Sequence, residues 1–342
     1  MKTRSRTLPR ILFLLLVLAL FATGAILAGF ESWRAGRTAE IYSGSEVAKT
    51  PAGDVEFSRR GEGPPVLILH DAAGGYDQGL VLAGFLEQEG FEVVSMSRPG
   101  YLRTPLASGL LPENQADAAA ALLGALSIPR ASIVAFGWGA PAALQFAIRH
   151  PERLSSLVLA APVLSALQPA AETIPFPQAV ATALTGDVGA WLYHKESEEK
   201  PASALAQAYA LTAEGSAADS TAWADFVTSD PVQLENFRDL VLTLSPLSAR
   251  ETGIRNDILQ IRTLPALPLE KISAPTLVIH GGIDKTVPLA SVEAARAKIA
   301  DSEFQLVPDA GHLLFLGRGG PAASARIASF LRENSTPSAE PQ

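Results

Sequence analysis

The fold is decided by one stretch, Ile133-Val-Ala-Phe-Gly-Trp-Gly-Ala-Pro-Ala-Ala-Leu-Gln-Phe-Ala-Ile-Arg-His-Pro151. Its first four residues form an apolar run typical of a buried strand, and the residues from Ala140 onward follow a helical pattern. Between them lie Gly137 and Gly139, which predict a tight turn. The stretch therefore predicts a strand, a sharp turn and a helix.

The same alternation of strand and helix recurs on both sides of this stretch. Short apolar runs predict strands at 66–70, 92–97, 132–136, 156–160, 276–280 and 304–308. Helical patterns cover 114–126, 140–149, 291–299 and 322–332. Continuous apolar strands that alternate with helices are typical of a parallel sheet covered on both faces. We therefore predict an α/β fold with a mostly parallel central sheet.

One segment, residues 164–272, has no convincing strand and is rich in Ala, Leu and Glu. A structureless loop of that length is improbable in a compact domain, so we expect a helical cap over the strand ends. The core is then split into residues 51–163 and 273–335, and residues 336–342 form a flexible tail. The charged run 193–200 contains His194, which we expect to face solvent.

The N-terminus combines basic residues with an apolar run over residues 11–30. Twenty apolar residues can span the hydrocarbon core of a bilayer as a helix. The basic flank favours a cytoplasmic N-terminus and an external domain, on the periplasmic or extracellular side. We expect a single-pass signal-anchor over residues 1–30 and a polar connector over 31–50. Cleavage after Gly24 or Ala25 is the alternative.

Composition excludes several functions. The net charge is −8, and Lys2, Arg4, Arg6 and Arg10 leave −12 on the remaining chain, which argues against nucleic acid as a partner. The chain contains no cysteine, which excludes disulfides and thiol catalysis. No cluster of ligand type predicts a metal, and no glycine fingerprint predicts a nucleotide cofactor. The expected partners are a small molecule and the membrane.

Four motifs follow predicted strands: His70-Asp-Ala-Ala-Gly-Gly-Tyr76, Ala135-Phe-Gly-Trp-Gly139, His280-Gly-Gly-Ile-Asp284 and Asp309-Ala-Gly-His312. Parallel sheets bind ligands outside the carboxyl ends of their strands. In this order the motifs resemble the α/β-hydrolase fold family over residues 45–335. That family arranges its triad as nucleophile, acid and histidine. The resemblance assigns these positions to Gly137, Asp284 and His312.

The position of the nucleophile is occupied by glycine. No Ser, Asp or Cys lies within two residues of Gly137, so a shift of register does not supply one. The resemblance also implies an oxyanion hole formed by the backbone N–H groups of Ala72 and Trp138. Asp71 stands where many members have glycine, and family members with His-Asp here resemble dehalogenases and epoxide hydrolases. A relocated nucleophile role for Asp71 is conceivable.

Three functions remain open for Asp284 and His312. They can activate water in a hydrolase that acts on a small apolar ester or acyl compound, or abstract a proton in a lyase-like reaction. Alternatively, the domain binds a ligand or partner and catalyses nothing, with His312 as a structural residue and Asp284 as a loop cap. Two arginines, Arg98 and Arg103, are candidates for contact with a substrate carboxylate, although we expect them to be solvated.

Overall fold

A central sheet is formed by the apolar runs of the sequence. The computed structural model describes residues 7–166 and 186–335, in which the sheet has eight strands in the order β1-β2-β4-β3-β5-β6-β7-β8. Their bounds are β1 (Glu46–Thr50), β2 (Gly53–Arg60), β3 (Pro65–Leu69), β4 (Glu92–Met96), β5 (Ala131–Phe136), β6 (Leu154–Ala160), β7 (Thr276–Gly281) and β8 (Ser302–Val307). From β4 to β8 neighbouring strands are parallel, and this confirms the predicted α/β class.

One edge of the sheet differs from the expectation. Residues 31–50, expected to form a polar connector, continue the first helix to Ser43 and then form β1. Strand β1 pairs antiparallel with β2, and β2 pairs antiparallel with β4. The side chains of β1 are exposed or half-buried, so this edge strand lacks the continuous apolar run that marks the inner strands.

Helices cover both faces of the sheet. The described helices are α1 (Thr7–Ser43), α2 (Tyr76–Ala83), α3 (Phe85–Gln88), α4 (Pro112–Ala125), α5 (Ala140–Arg149), α6 (Asp187–Glu199), α7 (Pro201–Thr212), α8 (Ala217–Ser229), α9 (Pro231–Leu242), α10 (Glu251–Arg262), α11 (Leu289–Arg296) and α12 (Gly320–Glu333). Helices α4, α5 and α11 pack on one face, and α2, α3 and α12 pack on the other. Each face of the sheet thus carries its own apolar core, and alternate residues of β3 belong to different cores. Leu67 and Leu69 lie in one core, and Val66 and Ile68 lie in the other.

Helices α6 to α10 lie between β6 and β7 in the chain, within the segment expected to form a cap. Helices α7, α8 and α9 share an apolar cluster around Leu205, Val227 and Phe237, which Leu316 of the core also joins. The cap joins the core beside β7, where Ala213 forms an isolated bridge with Asp284. The expected cap also includes residues 167–185, and the expected tail covers 336–342; both lie outside the described residues.

The first helix is 37 residues long. Its segment Phe13–Ser43 is long and apolar enough to cross a membrane by length and composition, properties that a signal sequence shares. Beyond residue 29 the helix packs on the domain, with Phe30 and Ile41 buried. The Tyr76 hydroxyl donates to the Ile41 carbonyl at 2.5 Å, which fixes the end of α1 against α2.

Candidate active site

The turn between β5 and α5 has the geometry that its glycines predict. Gly137 has a φ of +45°, in the left-handed region that favours glycine. Gly139 lies against β3, where an added Cβ would approach the Leu69 carbonyl oxygen to 2.6 Å. The two glycines therefore allow the turn to form close to the neighbouring strand, with the Trp138 N–H directed towards the end of β3.

Asp284 and His312 meet beyond the ends of two neighbouring strands, β7 and β8. The His312 Nδ1–H donates to Asp284 Oδ2 at 2.8 Å. The other oxygen of Asp284 accepts the backbone N–H groups of Thr286 and Val287 at 2.7 and 2.9 Å. Both side chains are largely buried. The pair thus has the geometry of a histidine oriented and charge-stabilised by a fixed carboxylate.

Asp71, just after β3, lies between the turn at Gly137 and His312, and its carboxylate contacts both. Its Oδ1 accepts the backbone N–H groups of Ala72 at 2.7 Å and Trp138 at 2.8 Å. Its Oδ2 accepts the Nε2–H of His312 at 3.1 Å. The two N–H groups expected to bind a substrate oxygen are therefore occupied by a carboxylate of the protein itself.

The absence of a side chain at residue 137 makes room for this arrangement. A Cβ built on Gly137 would lie 2.6 Å from Asp71 Oδ2 and would overlap Oδ1 and Cγ. Asp71 and a side chain at residue 137 thus compete for one volume. The carboxylate of Asp71 occupies the volume that a side chain at residue 137 would need.

The charges in the site depend on one another. Burial raises the pKa of Asp71, but the hydrogen bond and charge of His312 and the N–H groups of Trp138 and Ala72 outweigh it and lower the pKa to about 2. Burial lowers the pKa of His312, but Asp284 and then Asp71 raise it well above its ordinary value. The hydrogen bonds and charges on both sides of the ring therefore favour the imidazolium form of His312.

The backbone of Asp71 is held from behind by buried side chains. Its N–H donates to Gln78 Oε1 at 3.0 Å, and its carbonyl accepts the Nδ1–H of His70 at 2.6 Å. His70 Nε2 accepts the backbone N–H of Arg98 at 2.9 Å, which fixes the proton of the neutral imidazole on Nδ1. Burial and the charge of Arg98 keep the pKa of His70 well below its ordinary value. Hydrogen bonds with the buried side chains of Gln78 and His70 thus hold the backbone of Asp71 in place.

The two arginines considered as substrate contacts have internal partners instead. Arg98 is buried and pairs with Asp257 of α10 at 2.6 Å, where the Tyr101 hydroxyl also donates at 2.6 Å. Arg103 pairs with the buried Glu56 at 2.6 Å. The expected solvation was wrong for Arg98, because its partner lies 159 residues away in the cap and no local pattern marks it.

Comparison with known proteins identifies the family and the fold. The family model of the alpha/beta hydrolase fold matches residues 64–318. The uncharacterized hydrolase YcgS of Bacillus subtilis is 24% identical over 289 residues, which cover 84% of this chain and 98% of that protein. The structure of an alpha/beta hydrolase fold protein from Nakamurella multipartita is 30% identical, with a TM-score of 0.75 and coverage of 84% and 99%. An esterase from Thermogutta terrifontis is 22% identical, with a TM-score of 0.60 and coverage of 85% and 99%.

The sheet order, the strand-end motifs and the matched residues define one class of protein. The chain belongs to the alpha/beta hydrolase fold family, which confirms the resemblance seen in its sequence.

Proposed function

We propose that this protein is a membrane-anchored hydrolase in which the Asp71 carboxylate acts as the nucleophile. The observation that carries the proposal is the position of that carboxylate. One oxygen accepts both N–H groups of the oxyanion hole, and the other lies 3.1 Å from His312 Nε2. A nucleophile beside a histidine that is itself oriented by an acid is the arrangement of a covalent hydrolase.

The filled oxyanion hole argues against the small ester or acyl compound that the sequence analysis expected. A substrate carbonyl needs the N–H groups of Ala72 and Trp138 to stabilise its oxyanion, and Asp71 Oδ1 already accepts both. Attack by Oδ2 on a saturated carbon has no such requirement. Moreover, the alkyl ester formed in that attack keeps Oδ1 as its carbonyl oxygen, already bound in the hole.

The proposed reaction has two steps. In the first, Asp71 Oδ2 forms a bond to a saturated carbon of the substrate while the bond from that carbon to its leaving group breaks, and the leaving group keeps the electron pair. In the second, His312 Nε2 takes a proton from water, and the hydroxide oxygen attacks Cγ of Asp71. The negative charge that develops on Oδ1 is stabilised by Ala72 and Trp138. Collapse breaks the bond between Cγ and Oδ2, and the alkoxide takes the proton from His312 to leave as an alcohol. The remaining proton of the water then passes from the new carboxyl group of Asp71 to His312 Nε2, which restores the resting pair.

The pKa of His312 favours this order of events. In the resting site the imidazole is protonated and cannot act as a base, because carboxylates flank it on both sides. Alkylation converts Asp71 into a neutral ester and removes one of those charges. The pKa of His312 then falls, so the imidazolium releases its proton to solvent. The neutral imidazole can then accept a proton from water in the second step.

Back-side displacement also restricts the leaving group. It departs on the side of the carbon opposite Asp71 Oδ2, and therefore away from His312 Nε2. The reaction is easiest when the leaving group departs as a stable anion and needs no proton. We therefore expect short alkyl bromides to be better probes than alkyl ethers or amides.

Isotope labelling in a single turnover tests the proposal. The enzyme, in excess, is mixed with 1-bromobutane in H₂¹⁸O, and bromide release, the butanol and the peptide that contains Asp71 are analysed. We expect unlabelled butanol and ¹⁸O in Asp71, because the oxygen of the alcohol comes from Oδ2 and water replaces it. Label in the butanol would mean that water attacks the substrate directly, and would refute a nucleophilic role for Asp71.

Two variants serve as controls. Asp71→Asn keeps an oxygen for the two N–H groups but is a poor nucleophile, so bromide release should be lost. His312→Ala should release bromide once and then stop, with the butyl group still attached to Asp71. Turnover that survives either change would contradict the assigned role of that residue.

A non-catalytic binding protein is the second candidate, and one observation favours it. The Asp71 carboxylate fills the oxyanion hole, and its charge is compensated by His312, so the site is internally satisfied without a ligand. If a panel of alkyl bromides, epoxides and activated esters gives neither turnover nor alkylation of Asp71, the binding function is favoured.

We also propose that α1 remains attached as a membrane anchor, with the domain on the periplasmic or extracellular side. The helix continues without a break from its apolar part into the part packed on the domain, so cleavage after residue 24 or 25 would cut it in the middle. A C-terminal tag should be accessible to protease in spheroplasts while the protein resists extraction from membranes by carbonate. Recovery of a soluble protein that lacks residues 1–25 would indicate a cleaved signal.

A further inference from the structure

We propose that one face of α6, the face that carries Val188 and Leu192, contacts the surface of the lipid bilayer beside α1. The inference rests on the proposed anchoring of the protein by α1. It adds a second membrane contact, made by the first described helix of the cap.

The position of the bilayer follows from the exposure of α1. Side chains in the apolar part are exposed, for example Phe13 at 64% and Leu27 at 51%, whereas Phe30 is only 5% exposed. The helix therefore leaves the surface of the domain just before Phe30. Residues 11–30 of a helix are about 30 Å long, which matches the thickness of a hydrocarbon core. Residues 30–34 consequently lie at one surface of the bilayer, where Trp33 fits the aromatic belt.

Helix α6 is fixed at this level of α1. Three residues of α1 contact α6. The rings of Phe30 and Trp191 have centroids 5.7 Å apart, and the rings of Trp33 and His194 are stacked with centroids 5.5 Å apart. The Arg34 guanidinium forms an ion pair with the Asp187 carboxylate, with an N–O distance of 3.4 Å. His194, expected to face solvent, is therefore half-buried against Trp33, because α1 covers it.

The order of these contacts shows which side of α6 faces the membrane. Successive helical residues lie about 100° apart, so relative to Asp187 the side chain of His194 lies about 20° to one side and that of Trp191 about 40° to the other. Asp187 and His194 contact residues 34 and 33 of α1, whereas Trp191 contacts Trp33 and also Phe30, one turn nearer the membrane. The side of α6 that faces the membrane therefore lies in the direction of Trp191, seen around the helix axis from Asp187. Val188 and Leu192 lie further around the axis in the same direction, at about 100° and 140° from Asp187.

These two side chains suit a bilayer contact. Val188 is 41% exposed and Leu192 is 55% exposed, and they lie one turn apart on one face of α6. Lys195 is exposed on the same side of the helix, one turn further on, where its ammonium can reach lipid phosphates while its stem remains among apolar groups. Apolar side chains that are exposed next to a membrane-spanning helix lose their contact with water when they enter the interface.

The absence of cysteine from the chain allows a direct test. Single variants Val188→Cys and Leu192→Cys of the full chain carry an environment-sensitive fluorophore and are reconstituted in phosphatidylcholine vesicles with brominated acyl chains. We expect blue-shifted emission and strong quenching at both positions. Leu259→Cys on α10 is the matched control, because Leu259 is an equally exposed leucine of another cap helix, 61% exposed, and its fluorophore should be neither shifted nor quenched.

A fourth variant separates this inference from the anchoring on which it rests. Leu20→Cys reports the insertion of α1, and its fluorophore should be quenched if the helix spans the bilayer. If Leu20 is quenched while residues 188 and 192 behave like residue 259, the contact of α6 is refuted and the anchor is retained. If Leu20 is not quenched, the anchoring itself fails and the contact of α6 is refuted with it.

Discussion

A double-mutant cycle between Gly137 and Asp71 tests whether a side chain at residue 137 and the Asp71 carboxylate compete for one volume. Gly137→Ala adds a Cβ at a φ of +45°, which costs about 1–2 kcal/mol for the left-handed backbone alone. The same Cβ would overlap the Asp71 carboxylate and must displace it from the N–H groups of Ala72 and Trp138. A hydrogen bond to a charged group contributes about 1.5–3 kcal/mol. We therefore expect Gly137→Ala to lower the free energy of unfolding by about 3 kcal/mol or more.

In the background Asp71→Ala the carboxylate is absent, and only the backbone cost remains. Gly137→Ala should then cost about 1–2 kcal/mol. The two changes should be coupled by about 1.5 kcal/mol or more, measured by urea denaturation of the four proteins. Coupling below about 0.5 kcal/mol, the usual limit of additivity for independent sites, would refute the shared volume.

The same cycle has a functional form. Gly137→Ser alone should react slowly with a fluorophosphonate probe, because the serine side chain and the Asp71 carboxylate need the same volume beside the oxyanion hole. Gly137→Ser combined with Asp71→Ala should be labelled faster at residue 137, and the label should disappear with His312→Ala. If both serine variants react equally fast, Asp71 does not obstruct the hole.

Three further outcomes are expected. In Asp71→Asn the pKa of His312 should fall, measured by NMR titration of the imidazole; an unchanged pKa would mean that Asp71 does not hold the proton there. The Asp71 carboxylate should stabilise the fold above about pH 4, and this contribution should be lost as the pH falls towards its folded pKa of about 2. The difference in unfolding free energy between wild type and Asp71→Asn should therefore shrink between about pH 4 and pH 2. Asp257→Ala should destabilise the protein by about 3–5 kcal/mol in chemical denaturation, because it leaves Arg98 charged and buried. As a control, Glu251→Ala at the exposed start of the same helix should change the stability by less than about 1 kcal/mol.

The apolar runs of the sequence predict the six parallel strands, β3 to β8, and the positions of their carboxyl ends. Inner strands buried on both faces must be apolar throughout, so they stand out from the helices between them. Parallel strands bring their carboxyl ends to one edge, and for that reason Asp284 and His312 were predicted as neighbours although 28 residues separate them. The antiparallel strands β1 and β2 and the continuation of α1 to Ser43 were not predicted, because polar and apolar residues are mixed in these segments.

The group that occupies the site could be identified only from the folded structure. The glycine at residue 137 indicated that a nucleophile was missing, but it did not indicate that Asp71 fills the space. That arrangement depends on an N–H group 67 residues away in the chain and on the missing Cβ beside it. The partner of Arg98 was likewise hidden, since Asp257 lies in a different part of the chain. Such contacts are set by the distance between elements in the folded chain, whereas periodicity and motif spacing record only the local environment of each element.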